Sequence, residues 1–102
     1  YLGRPDGATV DAQGNYWCAM YEGARLLCFS AQGELLADLP MPVQCPTMPC
    51  LGGAEGQSRL FVSSASQGRP ITELERMPLS GGVLSMALHA EALPVNWCVL
   101  EA

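Results

Sequence analysis

Gly3-Arg4-Pro5-Asp6-Gly7-Ala8-Thr9-Val10-Asp11-Ala12-Gln13-Gly14-Asn15-Tyr16-Trp17 says more about architecture than any other part of the chain. Proline fixes its own φ and glycine takes positive φ readily, so Pro5-Asp6-Gly7 reads as a tight turn that holds the Asp6 carboxylate on a rigid corner. Ala8 to Asp11 follows as a short strand. Asp11-Ala12-Gln13-Gly14 has the Asp-first, Gly-last pattern of a type I turn, and Asn15 opens an aromatic, β-prone run that reaches Tyr21. Turn, strand, turn and strand in such quick succession predict an antiparallel meander.

The pattern continues downstream. Glu22-Gly23-Ala24 has the length and glycine content of a hairpin loop and leads into Arg25 to Phe29. Ser30-Ala31-Gln32-Gly33 repeats the Asp11 turn almost letter for letter, and Glu34 to Leu39 forms the next strand before Pro40 and Pro42 stop it. With Glu22-Gly23-Ala24 as the whole loop, Tyr21 faces Arg25 and Cys18 falls opposite Cys28. A cross-strand disulfide is conceivable for that pair, and buried reduced thiols are the plainer reading.

Gln44 to Gly53, extended between prolines, starts a second meander, with Ala54 to Ser58 as a loop and Arg59 to Ser64 as the next strand. Ala65 to Ser80 has no apolar period and reads as a long excursion, in which Ile71 to Met77 can form a single helical turn between Pro70 and Pro78. Gly81 to Leu88 restores the strand signal, His89 to Leu93 stays open between helix and loop, and Val95 to Leu100 ends the chain as a strand. Two units of about 40 to 50 residues have the period of propeller blades, one over about residues 5–42 and the next over about 44–100.

The 102 residues suit one domain or a piece of a larger one. Hydrophobic residues make up 49% and charged ones 15%, with mean hydropathy +0.16, which is too apolar for disorder. Ten acidic against five basic residues give a net charge of −5 and no basic stripe, which argues against nucleic acid and anionic membrane surfaces as partners. No apolar run has the length of a membrane span, and Tyr1-Leu2-Gly3-Arg4 lacks an initiator Met and a signal pattern, so the chain reads as cut from a longer one. The five cysteines, Cys18, Cys28, Cys45, Cys50 and Cys98, include no Cys-x-x-Cys pair, and the single histidine, His89, has no cysteine near it. A zinc site is therefore not expected, and thiols set in apolar runs point to a reducing, cytoplasmic compartment.

Few side chains remain as candidates for chemistry. Ser63, Ser64 and Ser66 have no histidine at a motif spacing, which leaves a serine-hydrolase triad without support. Trp17 and Trp97 read as packing between blades, His89 as an exposed bystander, and Asp11 as a turn residue bonded to nearby backbone. On its own residues, Asp6 is also a plain turn aspartate.

The ordered series Gly3-Arg4-Pro5-Asp6-Gly7, Val10-Asp11-Ala12-Gln13-Gly14-Asn15-Tyr16-Trp17 and Tyr21-Glu22-Gly23 resembles the signature of the regucalcin (senescence marker protein) and gluconolactonase family. Pro46-Thr47, Leu51-Gly52-Gly53, Leu60 to Ala65 and Pro78 to Val83 look like the segments that follow in the same order, so the likeness reaches about Leu88. It implies an all-β fold, a portion of about two blades from the C-terminal part of a six-bladed β-propeller. It also implies one divalent cation at the centre of one face, held by a glutamate, two asparagines and an aspartate. The family's Pro-Asp-Gly aspartate falls on Asp6, which becomes the expected metal ligand and candidate catalytic base. The other ligands lie outside this chain, and neither Asn15 nor Asn96 matches them.

The cation expected from the resemblance is Ca²⁺, with Zn²⁺, Mg²⁺ or Mn²⁺ as alternatives. A hard cation of this kind needs about six to eight oxygens, so Asp6 alone builds no site. The parent protein is then expected to be a metal-dependent sugar-lactone hydrolase, with the lactone and the remaining blades as its partners. The alternatives are a non-catalytic calcium-binding or scaffold propeller and another ester or phosphotriester hydrolase on the same fold.

Overall fold

The structure is a computed structural model that describes residues 2–53 and 58–88. Its elements in chain order are β1 (Arg4–Val10), β2 (Tyr16–Tyr21), β3 (Arg25–Phe29), β4 (Leu35–Pro40), β5 (Pro46–Gly52), β6 (Arg59–Ser64), α1 (Ile71–Arg76) and β7 (Val83–Ala87). They form a four-stranded sheet in the order β1-β2-β3-β4 and a three-stranded sheet in the order β5-β6-β7, with every pairing antiparallel. The expected final strand at Val95 to Leu100, together with His89, Asn96, Trp97 and most of the Ala54 to Ser58 loop, lies outside the described residues.

Proline placement follows from this order. Pro5 lies in β1, and Pro46 and Pro49 lie in β5, the first strand of each sheet. Such a strand has one edge without a ladder neighbour, so a residue lacking an N–H can be accommodated there. The excursion between β6 and β7 contains α1, a single short helix set between Pro70 and Pro78 as the sequence indicates.

The main core lies between the sheets. Trp17, Ala19, Leu26 and Cys28 from the first sheet meet Leu51, Leu60 and Val62 from the second, with Met41 and Val43 of the connection between them. Alternation along the strands sends Cys18, Met20 and Leu27 to the opposite face of the first sheet, where Ala8 and Phe29 flank them. Trp17 is thus buried between the sheets, as expected of a packing residue.

Two local expectations are corrected. Pro5-Asp6-Gly7 is no tight turn: it belongs to β1, where Pro5 pairs with Met20 and Ala8 with Cys18. Asp6 and Gly7 therefore both stand against Ala19, a β-bulge that breaks the inward-outward alternation. The β2–β3 loop is also longer than the reading placed it. Met20 faces Arg25, so Cys18 faces Leu27 and Trp17 faces Cys28. That shift of one position puts Cys18 and Cys28 on opposite faces of the sheet. Both are free thiols, as are Cys45 and Cys50.

The physical reason is the loop's backbone. Positive φ is taken by Glu22 at 67° and Ala24 at 54°, and Gly23 is not among the residues that adopt it. Gly23 is needed for space instead: a Cβ there would come within 2.3 Å of the Leu2 carbonyl oxygen, and one on Gly3 within 2.6 Å of Gly23 N. The entry to β1 and the β2–β3 loop interlock, backbone against backbone.

Candidate functional site

β1 carries an aspartate in its bulge and is followed by another, and their surroundings are opposite. Asp6 is exposed, and among the described residues it has no hydrogen-bond or ion-pair partner. Gly7 beside it supports the bulge from the neighbouring sheet, since a Cβ there would lie 2.4 Å from Met48 Sδ and 2.6 Å from the Thr47 carbonyl oxygen. Only glycine lets β1 approach β5 this closely, and the bulge leaves the Asp6 carboxylate free.

Asp11 is buried, with 2% of its surface exposed. Its Oδ1 accepts the backbone N–H groups of Gln13 at 2.9 Å and Asn15 at 3.0 Å, and its Oδ2 accepts the Trp17 indole N–H at 3.0 Å. Burial pushes the carboxyl up, but the bonds from Trp17, Asn15 and Gln13 together outweigh it and hold the group below its ordinary value. The local backbone bonding was legible in the sequence; the bond to Trp17 was not. Cys28, paired with Trp17 across the strands, is pushed up to about 11, first by burial and then by the Asp11 carboxylate.

Around the start of β1 a charged chain joins distant segments. The Arg4 guanidinium donates to Glu22 Oε1 and lies 5.3 Å from the Tyr21 ring centroid. Arg69 Nη1 donates to Glu22 Oε2 at 3.1 Å, and the same side chain grips Glu73 through Nε at 2.8 Å and Nη2 at 2.6 Å. Hydrogen bonds from Arg69 and then Arg4 hold Glu22 below the usual carboxylate range, and Arg69 does the same to Glu73. Gln44 Nε2 donates to the Glu22 carbonyl at 2.7 Å. The excursion holding α1 is thereby tied to the β2–β3 loop and to the strand that carries Asp6. Sequence reading missed this network because, apart from the i,i+4 pair Arg69–Glu73, its members meet only through the fold.

Ser63 and Ser64 are occupied structurally. Thr47 and Ser63 share a hydrogen bond of 2.7 Å, and Ser64 donates to the Gly82 carbonyl at 2.7 Å while accepting Gly81 N–H at 3.0 Å. Among the described residues, no group of three or more His, Cys, Asp or Glu side chains could hold a metal ion. Asp6 suits a hard cation as one exposed oxygen donor, and this part of the chain supplies no complete coordination shell.

Two antiparallel sheets packed face to face, with their first strands in close backbone contact, define adjacent blades of a β-propeller. The chain belongs to the SMP-30/gluconolactonase/LRE-like family, whose model matches residues 1–66. It is 41% identical over 87 residues to a 6-deoxy-6-sulfogluconolactonase of Pseudomonas putida, an alignment covering 85% of this chain and 30% of that protein. It is 35% identical over 92 residues to regucalcin of Gallus gallus, covering 88% and 30%. The chain thus spans about 30% of the length of these relatives.

Solved structures agree on the fold. The crystal structure of a regucalcin from Agrobacterium tumefaciens, described as a calcium-binding protein, superposes with a TM-score of 0.79 at 22% identity, covering 87% of this chain and 30% of that one. A luciferin-regenerating enzyme superposes with a TM-score of 0.70 at 29% identity over the same shares.

Proposed function

We propose that the protein of which this chain forms a part is a divalent-cation-dependent sugar-lactone hydrolase, with Asp6 as metal ligand and general base. The observation that carries this reading is Asp6 itself: an exposed carboxylate without a partner among the described residues, in a bulge fixed by Gly7. The Pseudomonas putida relative, named as a sulfogluconolactonase, supports the lactone as substrate class. The calcium-binding regucalcin neighbour supports Ca²⁺ ahead of Zn²⁺, Mg²⁺ or Mn²⁺.

A bound cation would polarise the lactone carbonyl and acidify a water. One Asp6 oxygen would hold the cation while the other accepts the proton of the attacking water. The water oxygen bonds to the carbonyl carbon, the ring carbon–oxygen bond breaks, and the proton taken by Asp6 passes to the departing ring oxygen. Further oxygen ligands come from the remaining blades, which are the proposed partners of this segment. Four free thiols in the described residues suit a reducing cytoplasm, and no helix among those residues is long and apolar enough to cross a membrane.

The test uses the full-length protein. Lactone opening is expected to stop on chelation, return with added Ca²⁺, and be lost in Asp6→Ala. Activity that survives chelation or the substitution overturns the proposal. The regucalcin likeness also favours a second reading, a calcium-binding propeller without catalysis. It predicts that Ca²⁺ raises the melting temperature while no lactone in a panel is opened.

A further inference from the structure

We infer that Arg4 determines specificity by binding an oxyanion, a phosphate, sulfonate or carboxylate, that the substrate carries away from its lactone carbonyl. This rests on the lactonase reading above. Arg4 precedes Asp6 on the same strand, and two residues of extended chain place its backbone about 7 Å away. Its side chain is 70% exposed. A ligand whose carbonyl sits at Asp6 can extend its far end toward the guanidinium.

The guanidinium is held in place and only partly used. Nη2 is anchored on Glu22, and the plane lies over Tyr21. Glu22 is in turn fixed by Arg69 and, through its carbonyl, by Gln44. Nε and Nη1 of Arg4 have no partner among the described residues, which leaves donors of the fork open for a planar or tetrahedral oxyanion. Of the other four arginines, Arg69 grips Glu73 and Glu22, Arg25 bonds the Gly23 carbonyl and Asp38, Arg59 bonds Ser85 and Arg76 bonds Gln44, and none of them stands on the strand that carries Asp6. An exposed ion pair such as Arg4–Glu22 contributes little to stability, so fold maintenance does not account for how Arg4 is anchored.

The experiment measures kcat/KM of the full-length protein for gluconolactone and for the same lactone bearing a terminal phosphate or sulfonate. Arg4→Gln is expected to lower the ratio of charged to neutral substrate by about tenfold or more, mainly through KM, and Arg4→Lys to restore part of it. Added salt should reduce the ratio in the wild type and leave it nearly constant in Arg4→Gln. An unchanged ratio, or equal loss on both substrates, overturns the inference. If no lactone is opened at all, the lactonase reading fails on its own. Titration of inorganic phosphate then decides for Arg4: weaker binding to Arg4→Gln upholds an oxyanion site, and identical binding removes it.

Discussion

Asp6 lies in the bulge of β1 and Asp11 directly follows that strand, and the molecule treats them in opposite ways. Asp11 is buried with both oxygens engaged, closing the turn after β1 and pinning the Trp17 indole between the sheets. Asp6 is exposed, in a bulge where Gly7 packs against Met48 and Thr47. A carboxylate that is buried with both oxygens bonded within the fold serves to stabilise it. One that the fold places and leaves unpaired is available to a ligand. The contrast separates an aspartate bound into the fold from one left open to a ligand more clearly than either sequence context does.

The largest effect expected from breaking this contrast is on turnover. Asp6→Ala in the full-length protein should lower kcat/KM for a lactone by at least the 10² to 10⁴ typical of a lost general base, with little change in melting temperature at saturating chelator. Steady-state kinetics beside thermal melts measure both. A large loss of stability without metal would mean that Asp6 resembles Asp11 after all.

Asp11→Asn comes next, and acts on stability. Asn keeps an acceptor for the two backbone N–H groups but sets an amide donor against the indole donor of Trp17, so unfolding should become easier by about 2 kcal/mol near neutral pH. The Asp11 carboxyl is held below its ordinary value, so its contribution is fully present above that ordinary value and fades as pH falls through the folded-state one. The gap between wild type and variant should narrow in that acid range. Denaturant titrations across pH test it.

How far these roles could be read in advance differs by scale. Strands β2 to β7, the two Ala-Gln-Gly turns, the single helical turn between Pro70 and Pro78 and the role of Trp17 were legible, because each rests on local periodicity or on proline and glycine chemistry. The register of β2 on β3 was not. Gly23 suggested the residue that turns the chain, whereas Glu22 and Ala24 adopt the positive φ and Gly23 makes room for Leu2. The same limit hid the bulge at Asp6, since a proline and a glycine flanking an aspartate look identical in a turn and in an irregular inner strand. Arg69 and Glu73 stand at an i,i+4 spacing, but Arg69 reaches Glu22, and through it Arg4, only once the excursion folds back, and no sequence spacing encodes that.

Gly7→Ala sharpens the comparison from the side of the support. The added methyl would fall on Met48 Sδ and the Thr47 carbonyl, and the backbone oxygen cannot move aside as a side chain can. A loss of about 1 to 3 kcal/mol is expected from such overpacking. Because the clash displaces the bulge, lactone turnover should fall as well, although Asp6 is intact. Unchanged kinetics with lowered stability would show that the bulge does not position the carboxylate.

The smallest effect belongs to the turn that copies Asp11. Ser30 accepts the N–H groups of Gln32 at 3.2 Å and Glu34 at 3.1 Å, its backbone closes the turn with Glu34 at 2.8 Å, and Gly33 takes a φ of 87° where Gly14 takes 82°. The backbones match, yet Ser30 bonds only local N–H groups that water can also reach, whereas Asp11 is buried and reaches a tryptophan. Ser30→Ala should therefore cost about 0.5 kcal/mol, with no acid-dependent component. A cost equal to that of Asp11→Asn would show that the turn bonds, and not the buried link to Trp17, carry the contribution of Asp11.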